Sequence, residues 1–311
     1  MNVMITNYCN LDCEYCFARS SMNQSKVEIS VENFIHYLEF LKTSNIMEVN
    51  IIGGEPTLHS KFELLLKLIV DFGFRYVKIF TNGIFDQSVL DILTKYQLEL
   101  VMLFNLNEHH IIGQKAFDKI SYNVSKLLEV KKNIVMGINI YKPYMDISYF
   151  KKFVLDHSIS KIRWSVAVPG KKVSDTWAFY REYIDIVMEF LGWAFTHNIK
   201  TSCDCNRIPS CIFSDSHLRL LSIYEPDIFT MTKCTPVVDV KPNLDVIRCF
   251  ATGHMYSTNL RGYNSFKTLY MDLLRHVDFA IQYKIDEYDN NCTSCLLHQH
   301  KKCRSACISM L

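Results

Sequence analysis

The chain has 311 residues, 49% of them hydrophobic, and a formal net charge of +2 at pH 7. This length suits one barrel-sized domain, or a large domain with a small one, and the hydrophobic fraction supports a sizeable core. The near-neutral charge argues against a nucleic-acid partner, and no apolar run is long enough to cross a membrane. The start Met1–Thr6 lacks the basic region and cleavage site of a secretion signal, so we expect a soluble, cytoplasmic protein.

Short apolar runs alternate with longer amphipathic ones over the first two hundred residues, which is typical of βα units that form a parallel sheet. The predicted strands are Val3–Thr6, Val49–Ile52, Tyr76–Thr81, Leu98–Asn105, Val135–Ile140 and Lys161–Val168. The predicted helices lie near 31–43, 60–72, 86–96, 115–131, 146–157 and from Asp175 to about His197. Ser30 is the expected N-cap of the first helix. His109 and His110 are predicted to lie in a solvated loop, since adjacent side chains point in different directions.

Three cysteines lie close together near the start of the chain: Cys9, Cys13 and Cys16, in a Cys-x3-Cys-x2-Cys spacing. Thiolates are the usual ligands of iron–sulfur clusters, and three of them, where four are usual, leave one iron open. A disulfide framework is disfavoured, because three cysteines cannot pair among themselves and a chain without a secretion signal stays in a reducing compartment. Zinc remains an alternative for this motif alone, although structural zinc usually takes four ligands.

The second motif is the run of Gly53, Gly54, Glu55 and Pro56, directly after an apolar strand. Two glycines at the end of a buried strand let the backbone approach a ligand closely. The carboxylate of Glu55 can accept hydrogen bonds from an ammonium group. Taken alone, such a stretch is more often a tight turn.

Together the two motifs resemble the signature of the radical S-adenosylmethionine (radical SAM) superfamily, including the aromatic Tyr15 before the last cysteine. The resemblance implies a [4Fe–4S] cluster on the three cysteines, with its open iron chelated by SAM, and a Gly-Gly-Glu-Pro element that binds the SAM amino group. It also implies an α/β fold, a partial (β/α)6 TIM-like barrel whose site lies at the C-terminal ends of the strands.

Polar residues at three further strand ends could contact SAM in such a barrel. Thr81 and Asn82 belong to a Thr-Asn-Gly sequence found near the cofactor in many relatives, although an Asn-Gly turn explains it equally well. Asn139 lies where relatives often contact the SAM ribose, and an unpaired buried amide would cost about 1–3 kcal/mol. Arg163 and Ser165 alternate on the sixth strand and could reach the SAM carboxylate or ribose; alternatively, they face outward beneath the helices.

The last third of the chain is rich in cysteine. A predicted β-hairpin, with strands at Val237–Val240 and Val246–Ile247, carries one cysteine near each end. A Cys-x2-Cys-x7-Cys-x3-Cys block follows, and this block alone could bind zinc. The arrangement resembles the SPASM domain and its shorter relative, the twitch domain, which hold auxiliary [4Fe–4S] clusters.

The SPASM resemblance implies two auxiliary clusters and a division into a core barrel at 1–200 and an auxiliary domain at 201–311. The eight implied ligands are Cys205, Cys211, Cys234, Cys249, Cys292, Cys295, Cys303 and Cys307. Cys203 is left aside. The spacing between Cys295 and Cys303 is longer than is usual in SPASM domains, and the final SPASM cysteine is missing, so the assignment of cysteines to clusters stays open.

The resemblance implies an enzyme that cleaves SAM reductively, with an electron from a partner such as flavodoxin or ferredoxin. The resulting 5′-deoxyadenosyl radical would abstract a hydrogen atom from the substrate. SPASM enzymes mostly modify ribosomally made peptides by cross-linking, epimerisation or oxidation, which makes a peptide the first expectation. The alternative is a dehydrogenase or epimerase of a small molecule such as a sugar or aminocyclitol. A non-enzymatic metal-binding module is a third possibility, and it leaves the Gly-Gly-Glu-Pro element without a purpose.

Overall fold

The structure, a computed structural model, describes residues 1–22, 25–167, 176–204, 208–226, 237–278, 292, 294–300, 303 and 307. Ten strands form one sheet in the order β10-β9-β8-β1-β2-β3-β4-β5-β6-β7. They are β1 (Asn2–Met4), β2 (Glu48–Ile52), β3 (Tyr76–Thr81), β4 (Glu99–Asn105), β5 (Asn133–Ile140), β6 (Lys161–Val166), β7 (Lys200–Cys203), β8 (Asp239–Val240), β9 (Asp245–Ile247) and β10 (Ser257–Asn259). Each strand from β1 to β6 pairs in parallel with the strand that follows it, so that β7 lies at one edge of the sheet. The predicted α/β fold with a parallel sheet is confirmed.

Helices lie between the parallel strands, and further helices follow β7. They are α1 (Val31–Thr43), α2 (Phe62–Asp71), α3 (Gln87–Lys95), α4 (His109–Ile112), α5 (Gln114–Glu129), α6 (Ser148–Asp156), α7 (Thr176–Glu182), α8 (Ile184–Thr196), α9 (Asp215–Tyr224), α10 (Phe266–Leu273) and α11 (Leu296–Gln299). The six predicted strands and the first five predicted helices are confirmed, with ends within two residues where the chain is described. Ser30 caps α1 as predicted, because its hydroxyl accepts a hydrogen bond from the Asn33 N–H at 3.1 Å.

Two predictions about helices need correction. The helix expected from Asp175 to His197 is interrupted at Tyr183, where the backbone makes one tighter turn and the side-chain hydroxyl donates to the Tyr141 carbonyl at 3.1 Å. His109 begins the one-turn helix α4 and does not lie in a loop. Its ring packs edge-on against Phe117, with ring centroids 3.8 Å apart. Both histidines are nevertheless exposed, as predicted.

The outer face of the sheet packs against helices. Ile162, Trp164 and Val166 of β6 are buried. The indole N–H of Trp164 donates to the carboxylate of Glu225, directly after α9, at 2.8 Å. Because strand side chains alternate between faces, the residues between these three point to the opposite side of the sheet.

The concave face of the sheet is where the intervening residues lie. The guanidinium of Arg163 on β6 lies 5.0 Å from the ring centroid of Phe80 on β3. Two strands separate β3 from β6, so this contact crosses the inside of a curved sheet. The alternative that Arg163 and Ser165 face outward is therefore wrong, and both face the barrel interior.

The predicted hairpin is confirmed as β8 and β9, which pair antiparallel. Strand β8 also pairs in parallel with β1, and the Asn2 side-chain amide donates to the Asp239 carboxylate at 2.9 Å. Strand β7 was not predicted, and it begins at Lys200, where the predicted auxiliary domain would follow. The division at residue 200 stays a prediction. Within the described residues, no helix combines the length and the hydropathy needed to cross a membrane.

The loop between β1 and α1 is held against the turn after β2. His59 is buried; its Nδ1 accepts from the Lys61 N–H at 3.0 Å, so its Nε2 donates to the Ile29 carbonyl at 3.2 Å. Ser60 donates from both its N–H and its hydroxyl to Glu28. Burial alone would raise the pKa of Glu28, but the hydrogen bonds from Ser60 and Lys26 outweigh it and lower the pKa to about 2.

Burial lowers the pKa of His59 from its ordinary value of 6.5, so the unfolded chain takes up a proton first as the pH falls. The stabilisation by neutral His59 is then complete above about pH 6.5 and declines below it. We expect the difference in unfolding free energy between wild type and His59→Gln to shrink between about pH 7.5 and about pH 5, by at most about 1.4 kcal/mol per pH unit. Urea unfolding at each pH measures it. The exposed His197, replaced in the same way, is the control, and a difference that stays constant with pH would contradict the expectation.

Candidate active site

The chain that leaves β1 is joined by hydrogen bonds to the turn that leaves β2. The Gly54 N–H donates to the Thr6 carbonyl at 2.7 Å, and the Glu55 N–H donates to the Tyr8 carbonyl at 2.8 Å. A Cβ atom at Gly54 would lie 2.1 Å from the Tyr8 oxygen and 2.9 Å from the Cys9 nitrogen. The position therefore requires glycine, because the backbone that carries the first cysteine comes too close for a side chain.

The three cysteines of the N-terminal motif lie in the loop that follows. All are half-buried, and the Cys16 N–H donates to the Cys13 carbonyl at 3.0 Å, which bends the loop. Burial, opposed in part by hydrogen bonds, raises the pKa of Cys9 and Cys13 to about 11 and also raises that of Cys16. Iron would displace these protons, because the thiolate is the ligand. Three thiols on one short loop beside a close-packed glycine turn fit a cluster with an open iron.

A site for a single metal ion is a different arrangement. In the described part of the chain, no three His, Cys, Asp or Glu side chains are placed to hold one ion together. A cluster distributes its thiolate ligands over several irons, so its ligands need not meet at one point.

Asn82 lies beside the first cysteine. Its side-chain amide donates to the Asn10 oxygen at 2.7 Å and lies 3.9 Å from the Cys9 sulfur. The Asn82 oxygen accepts from the Ile84 N–H at 2.9 Å, which closes a turn. The Thr-Asn-Gly sequence thus forms a turn and also borders the cysteine loop.

Glu55 has partners that the sequence did not indicate. Its side chain is fully buried, and its carboxylate accepts from the Thr57 N–H and hydroxyl at 3.2 and 2.6 Å. It also accepts from the Thr81 hydroxyl at 2.8 Å and from the Asn82 N–H at 2.7 Å. Burial raises the pKa of Glu55, and these hydrogen bonds oppose the shift. The contact with a SAM ammonium stays a prediction.

Asn107 belongs to the site and was missed in the sequence analysis. It is buried just after β4, where its side-chain oxygen accepts from the Tyr15 hydroxyl and lies 3.7 Å from the Cys13 sulfur. The Tyr15 ring packs against Tyr141 with centroids 4.9 Å apart. The rule that led to Asn139, a polar residue at a strand's carboxyl end, would have found Asn107 as well.

The polar residues of β5 and β6 meet on the concave face. The Ser165 hydroxyl donates to the Asn139 side-chain oxygen at 2.8 Å, so this amide oxygen has a partner within the protein. Arg163 forms an ion pair with Asp204, directly after β7. Their predicted contacts with SAM stay predictions.

The C-terminal cysteines are described in part, because Cys205 and Cys234 lie outside the described residues. Cys211 is exposed and Cys292 is buried. The Cys295 N–H donates to the Cys292 carbonyl at 3.0 Å, which forms a tight turn. Cys303 and Cys307 are half-buried, and the Cys307 N–H donates to the hydroxyl of Tyr180 on α7 at 3.4 Å.

Phe250, directly after Cys249, contacts the end of the N-terminal cysteine loop. The ring of Phe17, directly after Cys16, meets the ring of Phe250, directly after Cys249, with centroids 5.3 Å apart. Cys249 has a backbone φ of 117°, in the region that favours glycine. Such a conformation costs about 1–3 kcal/mol for another residue, so other interactions must hold it.

Comparisons with known proteins agree with this geometry. Residues 3–138 match the family model of the Radical SAM superfamily. SuiB of Streptococcus suis, solved with its precursor peptide SuiA, has a TM-score of 0.61 at 16% identity, over 98% of this chain and 70% of SuiB. The protein anSMEcpe, solved with AdoMet and a Kp18Cys peptide, has a TM-score of 0.66 at 15% identity, over 99% and 88% of the two chains. At these identities the likeness shows the fold alone.

Curated relatives match over shorter stretches. The S-adenosylmethionine-dependent nucleotide dehydratase of Selenomonas ruminantium is 26% identical over 153 residues, which is 45% of this chain and 54% of the dehydratase. This chain spans between 17% and 54% of the lengths of the first curated relatives that it matches.

Residues 3–138 thus form a radical SAM domain, as the sequence motifs predicted. Around it, the chain has the fold of the SPASM/twitch-type radical SAM proteins SuiB and anSMEcpe. The cofactors of this superfamily are a [4Fe–4S] cluster and SAM. The prediction of these two cofactors from the sequence motifs agrees with the family.

Replacing Gly54 by alanine tests the close approach of the two loops. The added Cβ meets backbone atoms, so the cysteine loop must move, and overpacking of this kind costs about 1–3 kcal/mol. We expect Gly54→Ala to lower the unfolding free energy by at least about 1 kcal/mol and to reduce iron in the reconstituted protein. Gly192→Ala is the matched control, because its nearest neighbour is 3.6 Å away and alanine favours helix α8. Equal stability of Gly54→Ala and wild type would contradict the geometry.

Proposed function

We propose that this chain is a radical SAM enzyme that matures a ribosomally made peptide. The observation that carries the SAM chemistry is the cysteine loop held by hydrogen bonds against the Gly53-Gly54 turn, at the carboxyl ends of parallel strands. Cys9, Cys13 and Cys16 would hold the cluster. When bound, cluster and SAM together supply one-electron cleavage of SAM and a radical that removes a hydrogen atom from the substrate.

The chain's own contribution is to orient these groups and to exclude water. Tyr15 lies between Asn107 and Tyr141 and covers one side of the cysteine loop. The concave face offers the Asn139–Ser165 pair and the Arg163–Asp204 ion pair. These side chains would orient the substrate and the ribose of SAM.

A peptide substrate is supported by two observations. The fold of nearly the whole chain is that of SuiB and anSMEcpe, and both were solved with peptides. Two aromatic residues at the carboxyl end of the barrel are exposed, Phe17 at 72% and Tyr144 at 96% of their surface. Exposed aromatic side chains are suited to bind peptide side chains.

A small-molecule substrate is the second candidate. It is supported by the similarity to the nucleotide dehydratase over nearly half of this chain. A short cysteine- or glycine-rich precursor reading frame beside the gene would favour the peptide, whereas sugar-pathway genes would favour the small molecule.

The C-terminal cysteines are proposed to hold two auxiliary [4Fe–4S] clusters in a domain at 201–311. The backbone of Cys249 supports this proposal. A non-glycine residue in this conformation is strained, and a bond from its thiolate to a cluster would hold it there. The Phe17–Phe250 contact would place that cluster beside the SAM-binding loop. A cytoplasmic flavodoxin or ferredoxin is the proposed reductant.

The proposed activity predicts that reconstituted protein with dithionite converts SAM to 5′-deoxyadenosine. Replacing Cys9, Cys13 and Cys16 together by alanine should abolish the product, because three ligands of one cluster are lost. Chromatography of the reaction measures it, and the C-terminal clusters should persist in the variant. Product formation by the triple variant would contradict the assignment of the cluster.

The auxiliary clusters predict about twelve irons per chain, since eleven cysteines supply three plus four plus four ligands. Cys249→Gly should lose about four irons, while the metal-free chain stays as stable as wild type or becomes more stable, because the strain is relieved. Iron analysis, Mössbauer spectra and thermal unfolding measure these effects. Cys249→Ser loses the ligand and keeps the strain, and Cys203→Ala should retain all the iron. Four irons with zinc in the C-terminal region would contradict the proposal.

A further inference from the structure

We propose that Asn7 is a positioning residue whose side chain closes the cysteine loop, by joining the chain before Cys9 to the chain after Cys16. The loop then keeps its three thiols in place before a cluster is assembled on them. The inference rests on the proposed function, since these cysteines are taken as the ligands of the SAM-binding cluster.

The first observation is the set of partners of the Asn7 side chain, which is buried between β1 and the first cysteine. Its amide nitrogen donates to the Ser25 carbonyl at 2.8 Å and to the Ser21 carbonyl at 3.3 Å. Its oxygen accepts from the Val27 N–H at 2.7 Å. One side chain thus binds three points of the return segment (residues 21, 22 and 25–27), which leads towards α1. Opening the loop would leave a buried amide without these partners, which is costly.

The second observation is the position of the main chain at Asn7. Its N–H donates to the Val27 carbonyl at 3.1 Å, on the side of the return segment. The carbonyls of the two residues beside it, Thr6 and Tyr8, accept hydrogen bonds from the glycine turn. The chain therefore lies between that turn and the return segment, and Asn7 supplies the bonds to the return segment. Cys9 follows two residues later, so the first thiol is held from both sides.

The third observation is a run of backbone turns that begins at the second cysteine and ends at the return segment. Three N–H groups donate to carbonyls two or three residues earlier in this run: Cys16 to Cys13 at 3.0 Å, Arg19 to Cys16 at 3.2 Å and Ser21 to Ala18 at 2.8 Å. The carbonyl of Ser21, at the end of the run, is one of those that Asn7 binds. Asn7 therefore connects the segment of the first cysteine to the segment of the other two. Ligands that are already in place lose less conformational freedom when a group binds.

Amide hydrogen exchange of the metal-free full chain tests whether Asn7 closes the loop without a cluster. The Val27 N–H is donated to the Asn7 side chain, so it should be protected in wild type. The N–H groups of Cys16 and Ser21 bond within the run of turns, and they should exchange at least about fivefold faster in Asn7→Ala. Equal exchange of these two groups in variant and wild type would overturn the proposal. An unprotected Val27 N–H in wild type would also overturn it, and that result does not depend on a folded variant.

Iron release from the reconstituted protein without SAM tests the effect on the cluster. We expect the N-terminal cluster of Asn7→Ala to lose iron to a chelator about five- to a hundredfold faster than that of wild type, the equivalent of two to three lost hydrogen bonds. This cluster is identified by the release phase and the EPR signal that the triple cysteine variant lacks, and we expect its EPR line shape to change as well. Asn7→Asp keeps the acceptor for Val27 but places an oxygen against the two carbonyls, so it should resemble Asn7→Ala. An Asn7→Asp variant that resembles wild type would overturn the proposal.

Two controls separate this role from a general loss of stability. Ser25→Ala keeps the carbonyl that Asn7 binds, so it should resemble wild type in exchange and in iron release. Thr201→Val, on the edge strand β7, removes a hydroxyl that donates to the buried carboxylate of Glu225 at 3.0 Å. It should unfold at a lower temperature with an unchanged EPR signal, and an Asn7→Ala variant with the same behaviour would overturn the proposal. If wild type binds the cluster but does not cleave SAM, the proposed activity fails, while exchange and iron release still decide the role of Asn7.

Discussion

The site depends on the backbone hydrogen bonds that join the cysteine loop to the glycine turn. Strands β1 and β2 pair in parallel. Backbone hydrogen bonds between the two segments continue past the strand ends, from the Gly54 N–H to the Thr6 carbonyl and from the Glu55 N–H to the Tyr8 carbonyl. Each strand of a parallel sheet is buried between its neighbours, so this pairing carries the rigidity of the core to the loop. The first cysteine is consequently positioned by the sheet, and the loop needs no regular structure of its own.

Polar groups at this edge of the sheet are matched with one another. Glu55 takes its donors from Thr57, Thr81 and Asn82, and Asn139 takes its donor from Ser165. Buried polar groups without partners would cost free energy, so the network stabilises one arrangement of the strand ends. The Asn139–Ser165 pair also makes the concave face polar at the ends of β5 and β6.

Much of the barrel could be predicted from sequence because its inner strands are rich in apolar residues and each keeps a continuous row of buried side chains on one face. Strand β7 could not, since Lys200–Cys203 lies at the sheet edge and buries one side chain, that of Cys203. At the interruption, the Tyr183 hydroxyl donates to the Tyr141 carbonyl in another loop, a contact that helical periodicity does not indicate.

The site could be predicted as far as its residue types and their order. The cysteine and glycine motifs are local in sequence, whereas Thr81, one of the donors to Glu55, ends a strand 26 residues later. A carboxylate after two glycines indicates an acceptor but does not indicate which donor it meets. The position of Asn107 after a strand indicates a polar residue at the site, but its contact with Tyr15 spans 92 residues and could not be predicted locally.

The pairing of β8 with β1 has a consequence for how the protein is made. Strand β1 is synthesised well before its partner β8, since the Asn2–Asp239 contact on its outer edge spans 237 residues. Until the last third has been synthesised, β1 exposes an unpaired edge beside the cysteine loop, and contacts of such long range form slowly. An unpaired edge strand can pair with other chains, so this edge is open to such pairing for longer than the edge of a barrel closed by local contacts.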